Sequence, residues 1–249
     1  MRIKSAYKYQ LFELRKPVMI YYIVIIALLI LTAISQFFLE RNGLISSMGG
    51  FDGATVIFLF VCGLNAFRQQ FHMFLANGIS RRTMFLSSVA AFGTVSVGMA
   101  LIDGIIGAIM TSFFRYDTMF SQSFGERFGL ADRINTFSSI ANGFVWAVFC
   151  YMAAAMVGLF ITTAYYRMNK PLKLAISIGV PVFLFIVLPI MDASLFNGAI
   201  TLAVGRFFAA VTSLLGTGNP YSTVLANLFS IVIFGGLAWL LTRRATVKS

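Results

Sequence analysis

A chain of 249 residues that is 59% hydrophobic and only 11% charged, with a mean hydropathy of +0.88, carries too little charge to clothe a water-facing surface. Soluble domains are nearer about a quarter charged, so lipid is the solvent this composition implies, and no hydrophilic stretch is long enough for a separate soluble domain. The formal charge of +11 argues for topology rather than nucleic acid, because the basic residues sit in the gaps between apolar runs, where cytosolic loops of membrane proteins concentrate them.

In chain order, residues 1–16 hold Arg2, Lys4, Lys8, Arg15 and Lys16 against the single acid Glu13. Tyr7, Leu11 and Leu14 fall at i, i+4 and i+7, which predicts an amphipathic helix on the inner leaflet, ending where Pro17 opens the first span; a disordered basic tail is the alternative. The first apolar run, 18–39, is too long for a signal-peptide core and has no small-residue cleavage site after it, so it is expected to remain as an anchor. The second, 51–67, is short, with Asp52 and Gly53 at its outer mouth. The third, 84–114, exceeds what a bilayer requires and must tilt, kink or project into water. The fourth covers 140–166 and the fifth 174–191, where Pro181 and Pro189 are expected kinks. The last is 221–241.

The segment 195–215 is apolar enough to span but carries Arg206 near its middle. With six spans and the N-terminus inside, 14 of the 19 basic residues fall inside, while Glu40, Asp52, Asp117, Glu126, Asp132 and Asp192 fall outside or at the outer mouths. A seventh span would move Arg243, Arg244 and Lys248 outside and strand Arg206 in hydrocarbon at a cost of about 2.5–3.5 kcal/mol. The segment therefore reads as a re-entrant or interfacial outer hairpin within 193–220. The expected fold is all-α: one polytopic domain over 1–249, with six transmembrane helices, in a bacterial inner membrane with both termini cytosolic.

The connection at 68–83 is the most informative stretch. Phe67, Phe71, Phe74 and Leu75 follow helical spacing, predicting an amphipathic extension of the second helix that offers aromatic side chains to the cytosol. Asn77 and Gly78 form a helix stop, and Ser80 stands where an N-cap belongs, opening the third helix with Arg81 and Arg82. The two arginines suit either plain topology anchoring or docking of a soluble partner.

The run Asn77-Gly78-Ile79-Ser80-Arg81-Arg82, between an apolar helix and a new span, resembles the first cytosolic loop of ABC-2-type transporter permeases of the small bacterial six-helix kind. The basic N-terminal helix, the six spans and the apolar outer hairpin extend the resemblance along nearly the whole chain. It implies a non-catalytic membrane subunit that pairs with a second permease chain, identical or different, and with two ATP-binding cassette subunits. Phe71, Phe74, Leu75, Asn77, Gly78, Ser80, Arg81 and Arg82 would then form the coupling element seated in the ATPase, and export is the expected direction. The chain has no G-x-x-x-x-G-K-[ST] loop, so ATP and magnesium belong to the partner and no cofactor is expected here.

Elsewhere the chemistry is sparse. Cys62 and Cys150 lie inside apolar runs and read as small buried hydrophobes, and His72, the only histidine, has no metal or acid–base companion. The acids and arginines at 115–133 alternate and read as mutually paired surface charge. Asp103, placed about midway along the third span, is the one deep ionisable group; it is a substrate or proton contact, an interhelical hydrogen-bonded or protonated carboxyl, or a group nearer the outer surface. Gly93 with Val97, and Gly104 with Ala108, are candidates for close helix approach. The abundance of Phe and Met points faintly to hydrophobic or amphipathic cargo, a peptide among them. The alternative function is a stand-alone membrane protein, such as a secondary carrier or an immunity protein.

Overall fold

A computed structural model describes residues 2–41, 48–114, 116–128, 137–195, 198–203 and 220–243. The element order is α1 (Arg2–Arg41), β1 (Met48–Gly49), α2 (Phe51–Ala76), α3 (Arg81–Phe113), β2 (Tyr116–Asp117), α4 (Met119–Phe128), α5 (Phe137–Arg167), α6 (Lys170–Val182), a π-helical segment (Phe183–Val187), α7 (Leu188–Leu195) and α8 (Pro220–Arg243). Among the described residues, four helical stretches are long and apolar enough to cross a membrane: Ile3–Leu39, Arg81–Phe113, Ser139–Arg167 and Tyr221–Arg243. Their outward faces carry large apolar side chains, among them Ile20 and Ile23 of α1, Ile105 and Ile109 of α3, and Phe229 and Val232 of α8. Helices satisfy their backbone groups internally, as hydrocarbon demands. This is an all-α, multi-pass membrane protein.

The N-terminal segment departs from expectation. α1 runs unbroken for 40 residues with Pro17 inside it, rather than ending there. Pro17 is exposed and deprives the helix of one hydrogen bond, but the packed face continues across it. Ala6 and Tyr22 are buried in the main core, and Leu14 and Val18 pack against that core on either side of the proline. Gln10 Nε2 donates to Ser88 Oγ of α3 at 2.9 Å, and Tyr7 shares a 2.8 Å hydrogen bond with Thr94. The segment is thus clamped along α3, with Ala6 and Gln10 as its buried face and Tyr7 and Leu11 at the edge.

α5 is the centre of the bundle, packing on α2, α3 and α8. Leu59, Phe71, Phe92, Met99, Tyr151, Ala155 and Met156 are almost wholly buried around it. The closest approach lies where Gly63 of α2 meets Gly158 of α5. A Cβ at Gly63 would stand 2.3 Å from the Ala155 carbonyl oxygen, and one at Gly158 would stand 2.3 Å from that of Phe60. The two backbones touch, so no side chain fits between them. The expected pairs are not close approaches: a Cβ at Gly93 or Gly104 would meet nothing within 4 Å.

Contacts at the helix ends give the directions. Phe67 and Phe71, late in α2, pack on Tyr166, late in α5. Tyr221, at the start of α8, donates to Asn142 near the start of α5 at 2.7 Å. Arg81 Nη1, opening α3, donates to the Arg243 carbonyl that ends α8 at 2.9 Å. So α2, α5 and α8 run one way and α3 the other. At the opposite end, β1 and β2 pair in parallel, Met48 with Tyr116 and Gly49 with Asp117. This small ribbon, which no sequence pattern announces, ties the entry to α2 to the exit from α3.

Between Pro181 and Pro189 the helix widens into π turns, with Leu188 N–H donating to the Phe183 carbonyl. Each proline withholds an N–H from the carbonyl four residues earlier, and the hydrogen-bond register slips between the two losses. Within α7, the Asp192 carboxylate accepts from Ile200 N–H at 2.7 Å, from Thr201 N–H at 2.8 Å and from the Thr201 hydroxyl. Gly198, at φ +81°, reverses the chain so that Asp192 caps the new helical turn at 199–203. These donors hold the Asp192 carboxyl below its ordinary range, the Thr201 hydroxyl foremost. Residues 204–219, with Arg206 and most of the expected hairpin, and the charged stretch 129–136 lie outside the described residues.

Candidate functional site

Two places combine polar chemistry with defined geometry, one at each end of the bundle. The first is the turn between α2 and α3. Ile79 N–H donates to the Phe74 carbonyl at 2.9 Å and Gly78 N–H to that of Leu75 at 3.0 Å. With Gly78 at φ +67°, this is a Schellman stop, which glycine enters without steric cost. One residue on, the Ser80 side chain accepts from Thr83 N–H at 3.2 Å and caps α3. Two helices are therefore joined by a turn whose backbone groups are bonded on both sides. Arg81 ties it to the end of α8, making the turn a rigid junction of α2, α3 and α8.

The aromatic residues expected to face the cytosol turn inward. Phe71 and Phe74 are 0% and 2% exposed. Phe71 lies against Phe67 and Tyr166, and Phe74 meets the edge of Tyr9 at 5.9 Å between ring centres. Burying each ring gains about 1.5–3 kcal/mol, so the part of α2 past its apolar run Phe51–Phe67 keeps its rings against α1 and α5. What the turn presents outward is Ala76, Asn77, Gly78, Ser80 and Arg82, with Leu75, Ile79 and Arg81 half-buried.

The second place is Asp103. It stands about two thirds of the way along α3, roughly 15 Å short of its C-terminal end at 1.5 Å per residue, rather than midway. Tyr22 OH from α1 donates to its Oδ1 at 2.9 Å, and Tyr151 OH from α5 donates to its Oδ2 at 2.6 Å. The carboxyl thus links three helices. Beside it Tyr21 and Thr55 share a 2.7 Å hydrogen bond, and Thr55 is fully buried. Asp52 closes that end of the bundle, accepting from Tyr116 OH at 3.2 Å and from Met119 N–H at 3.1 Å, where it caps α4.

Both aspartates line one cavity, together with Gly104, Gly107, Thr118 and Ser139. Its volume of about 70 Å³ suits water or a small ion, well short of the roughly 300 Å³ at which sites for drug-sized molecules begin. A carboxylate offers about four acceptor positions, and the tyrosines occupy one on each oxygen of Asp103. The arrangement can hold a proton, a water or a small cationic group. Among the described residues no group of three or more His, Cys, Asp or Glu could hold a metal ion.

Tyr22, Tyr151 and Thr55 were not singled out by sequence, and Asp52 was read only as an acid at the mouth of the second span. The available signal was tyrosine within apolar runs, since a buried phenol needs a polar partner and Asp103 is the acceptor at matching depth. Comparison of the chain with protein-family profiles, with curated proteins and with solved structures finds no match.

Proposed function

We propose that the chain is the transmembrane permease subunit of an ATP-binding cassette transporter, acting with a second permease chain and separate ATPase subunits. It works in a bacterial cell membrane and exports a hydrophobic or amphipathic compound or peptide. The observation that carries this reading is the turn at 77–80, capped on both sides and fastened through Arg81 to the end of α8. A force applied there reaches three spans at once. The chain's own core uses Phe71 and Phe74, so these two support the coupling element from within, and Ala76, Asn77, Gly78 and Ser80 meet the partner.

Six spans follow in this reading. α1, α2, α3, α5 and α8 make five, and α5 and α8 run in the same direction, so one crossing must lie between them. The helical stretch 170–191 is about 33 Å long at 1.5 Å per residue, enough for the roughly 30 Å hydrocarbon layer, and it leaves Asp192 beyond its outer end. Both described ends then share the turn's side, which the basic residues mark as cytosolic. Asp103 lies in the outer half, where a change in the tilt of α3 against α1 and α5 would alter its tyrosine contacts.

The experiment is affinity purification of the tagged chain from its native membranes, with Ala76→Trp and Asn77→Arg beside the unaltered form. Loss of the co-purifying ATPase in both variants, with insertion unchanged, is the expected result. Full retention in both would overturn the docking assignment.

A further inference from the structure

A groove of about 570 Å³ opens between α3 and α8, on the side of the bundle that carries the turn. Phe85, Leu86 and Val89 form one wall, Ile231, Val232 and Trp239 the other, with Met156 at the floor and Arg82 at the mouth. The floor is bare because α8 has two glycines there. A Cβ at Gly236 would meet nothing within 4 Å, and one at Gly235 only the Met156 sulfur at 3.8 Å. Arg82 is exposed, whereas its neighbour Arg81 is engaged by the Arg243 carbonyl.

The geometry points to a bound anionic phospholipid, one acyl chain in this groove and its phosphate on Arg82. Depth selects the occupant. The lining runs from Arg82 to Val89 on α3 and from Ile231 to Trp239 on α8, about 10–12 Å at 1.5 Å per residue. That is most of one leaflet's share, about 15 Å, of a hydrocarbon layer. A transmembrane helix from a second chain would need a groove running the full width, whereas an acyl chain hanging from the inner headgroup layer needs this one. Charge selects the headgroup, because an arginine fork at the water-facing end of an apolar slot matches a phosphate, and basic pockets between spans on the cytosolic side recognise acidic lipid headgroups. Trp239, its ring 5.4 Å from that of Phe85, completes the upper wall. The lipid site needs only the membrane fold, and stands whether or not an ATPase is the partner.

Tryptophan fluorescence tests it directly, since the chain has two tryptophans and only Trp239 lines the groove. Trp146 is buried against Phe120 and Phe124 and its indole N–H makes no hydrogen bond, so Trp146→Phe removes the second fluorophore at little structural cost. This variant, in phosphatidylcholine vesicles, is titrated with phosphatidylglycerol brominated on its acyl chains, and separately with brominated phosphatidylcholine. Half-maximal quenching of Trp239 is expected at about fivefold lower mole fraction of the anionic lipid, the factor for one arginine near the headgroups. Arg82→Gln should abolish that preference, and Gly236→Leu, which fills the floor, should reduce quenching by both lipids. Equal quenching by the two lipids, a preference that survives Arg82→Gln, or protection of Trp239 from both by a covering protein helix would each overturn the assignment. Native mass spectrometry of the unaltered chain against Arg82→Gln, counting retained phosphatidylglycerol, measures the same preference without altering Trp146: fewer lipids on the variant are expected, and equal retention would overturn the assignment.

Discussion

Replacing Gly63 by alanine adds one methyl group where α2 and α5 touch. That carbon would begin 2.3 Å from the Ala155 carbonyl oxygen and 3.0 Å from the Leu159 nitrogen, both backbone atoms of a central helix. Ordinary contact starts near 3.4 Å, so the helices must part locally by about an ångström, and a gap of that size forfeits a quarter to a half of each dispersion contact it opens. Overpacking of this kind costs about 1–3 kcal/mol. With rigid backbone as the obstacle the upper end applies, which for a chain of this size corresponds to a fall of roughly 5–10 °C in melting temperature. Gly93→Ala is the matched control: its new carbon meets nothing within 4 Å, and alanine improves helix propensity by about 1 kcal/mol. Thermal unfolding in detergent, followed by loss of the monodisperse peak in size-exclusion chromatography, should show Gly63→Ala well below the unaltered chain and Gly93→Ala at or above it. Equal melting temperatures for the two variants would refute the proposed crossing.

At Asp103, removing the phenol hydroxyl by Tyr151→Phe should cost about 1–2 kcal/mol, near the upper end for hydrogen bonds between membrane helices; a double-mutant cycle with Asp103→Asn in the same unfolding assay should show that the two losses do not add. Ser80→Ala removes the N-cap of α3 and should cost about 1 kcal/mol, read as earlier hydrogen exchange at the Thr83 amide. Asp192 carries the pH dependence. Its carboxyl is depressed by the Thr201 and Ile200 donors, so its contribution is complete above the unfolded value of about 3.9 and disappears as pH falls through the lower folded value. Exchange protection at the Ile200 and Thr201 amides should therefore hold constant from neutral pH to about pH 5 and be lost only in stronger acid.

Much of the fold was legible because a bilayer imposes simple rules. Apolar runs located α3, α5 and α8 within a few residues, and the Asn77-Gly78 stop and Ser80 cap were legible because both are local backbone chemistry. What failed depended on partners distant in sequence. The expected helix end at Pro17 weighed one missing hydrogen bond but not the core contacts of Ala6, Leu14 and Val18 on both sides of it. Phe71 and Phe74 showed the right periodicity, but periodicity does not say whether a face meets water or Tyr166 and Tyr9. Gly63 and Gly158 are 95 positions apart in the chain, and nothing local distinguishes them from Gly93. Asp103 drew attention through its charge, whereas its partners Tyr22 and Tyr151 are ordinary residues of apolar helices until the fold brings them together.

If this chain is the membrane half of an ATP-driven machine, it must travel with its motor. The most direct measurement is gentle detergent extraction of the tagged chain from its native cells, followed by mass spectrometry of the intact complex. A stoichiometric soluble subunit bearing a phosphate-binding G-x-x-x-x-G-K-[ST] loop, in two copies per pair of permease chains, is the expected result. Recovery of this chain alone, from an extract in which other transporter complexes survive intact, would contradict the permease assignment.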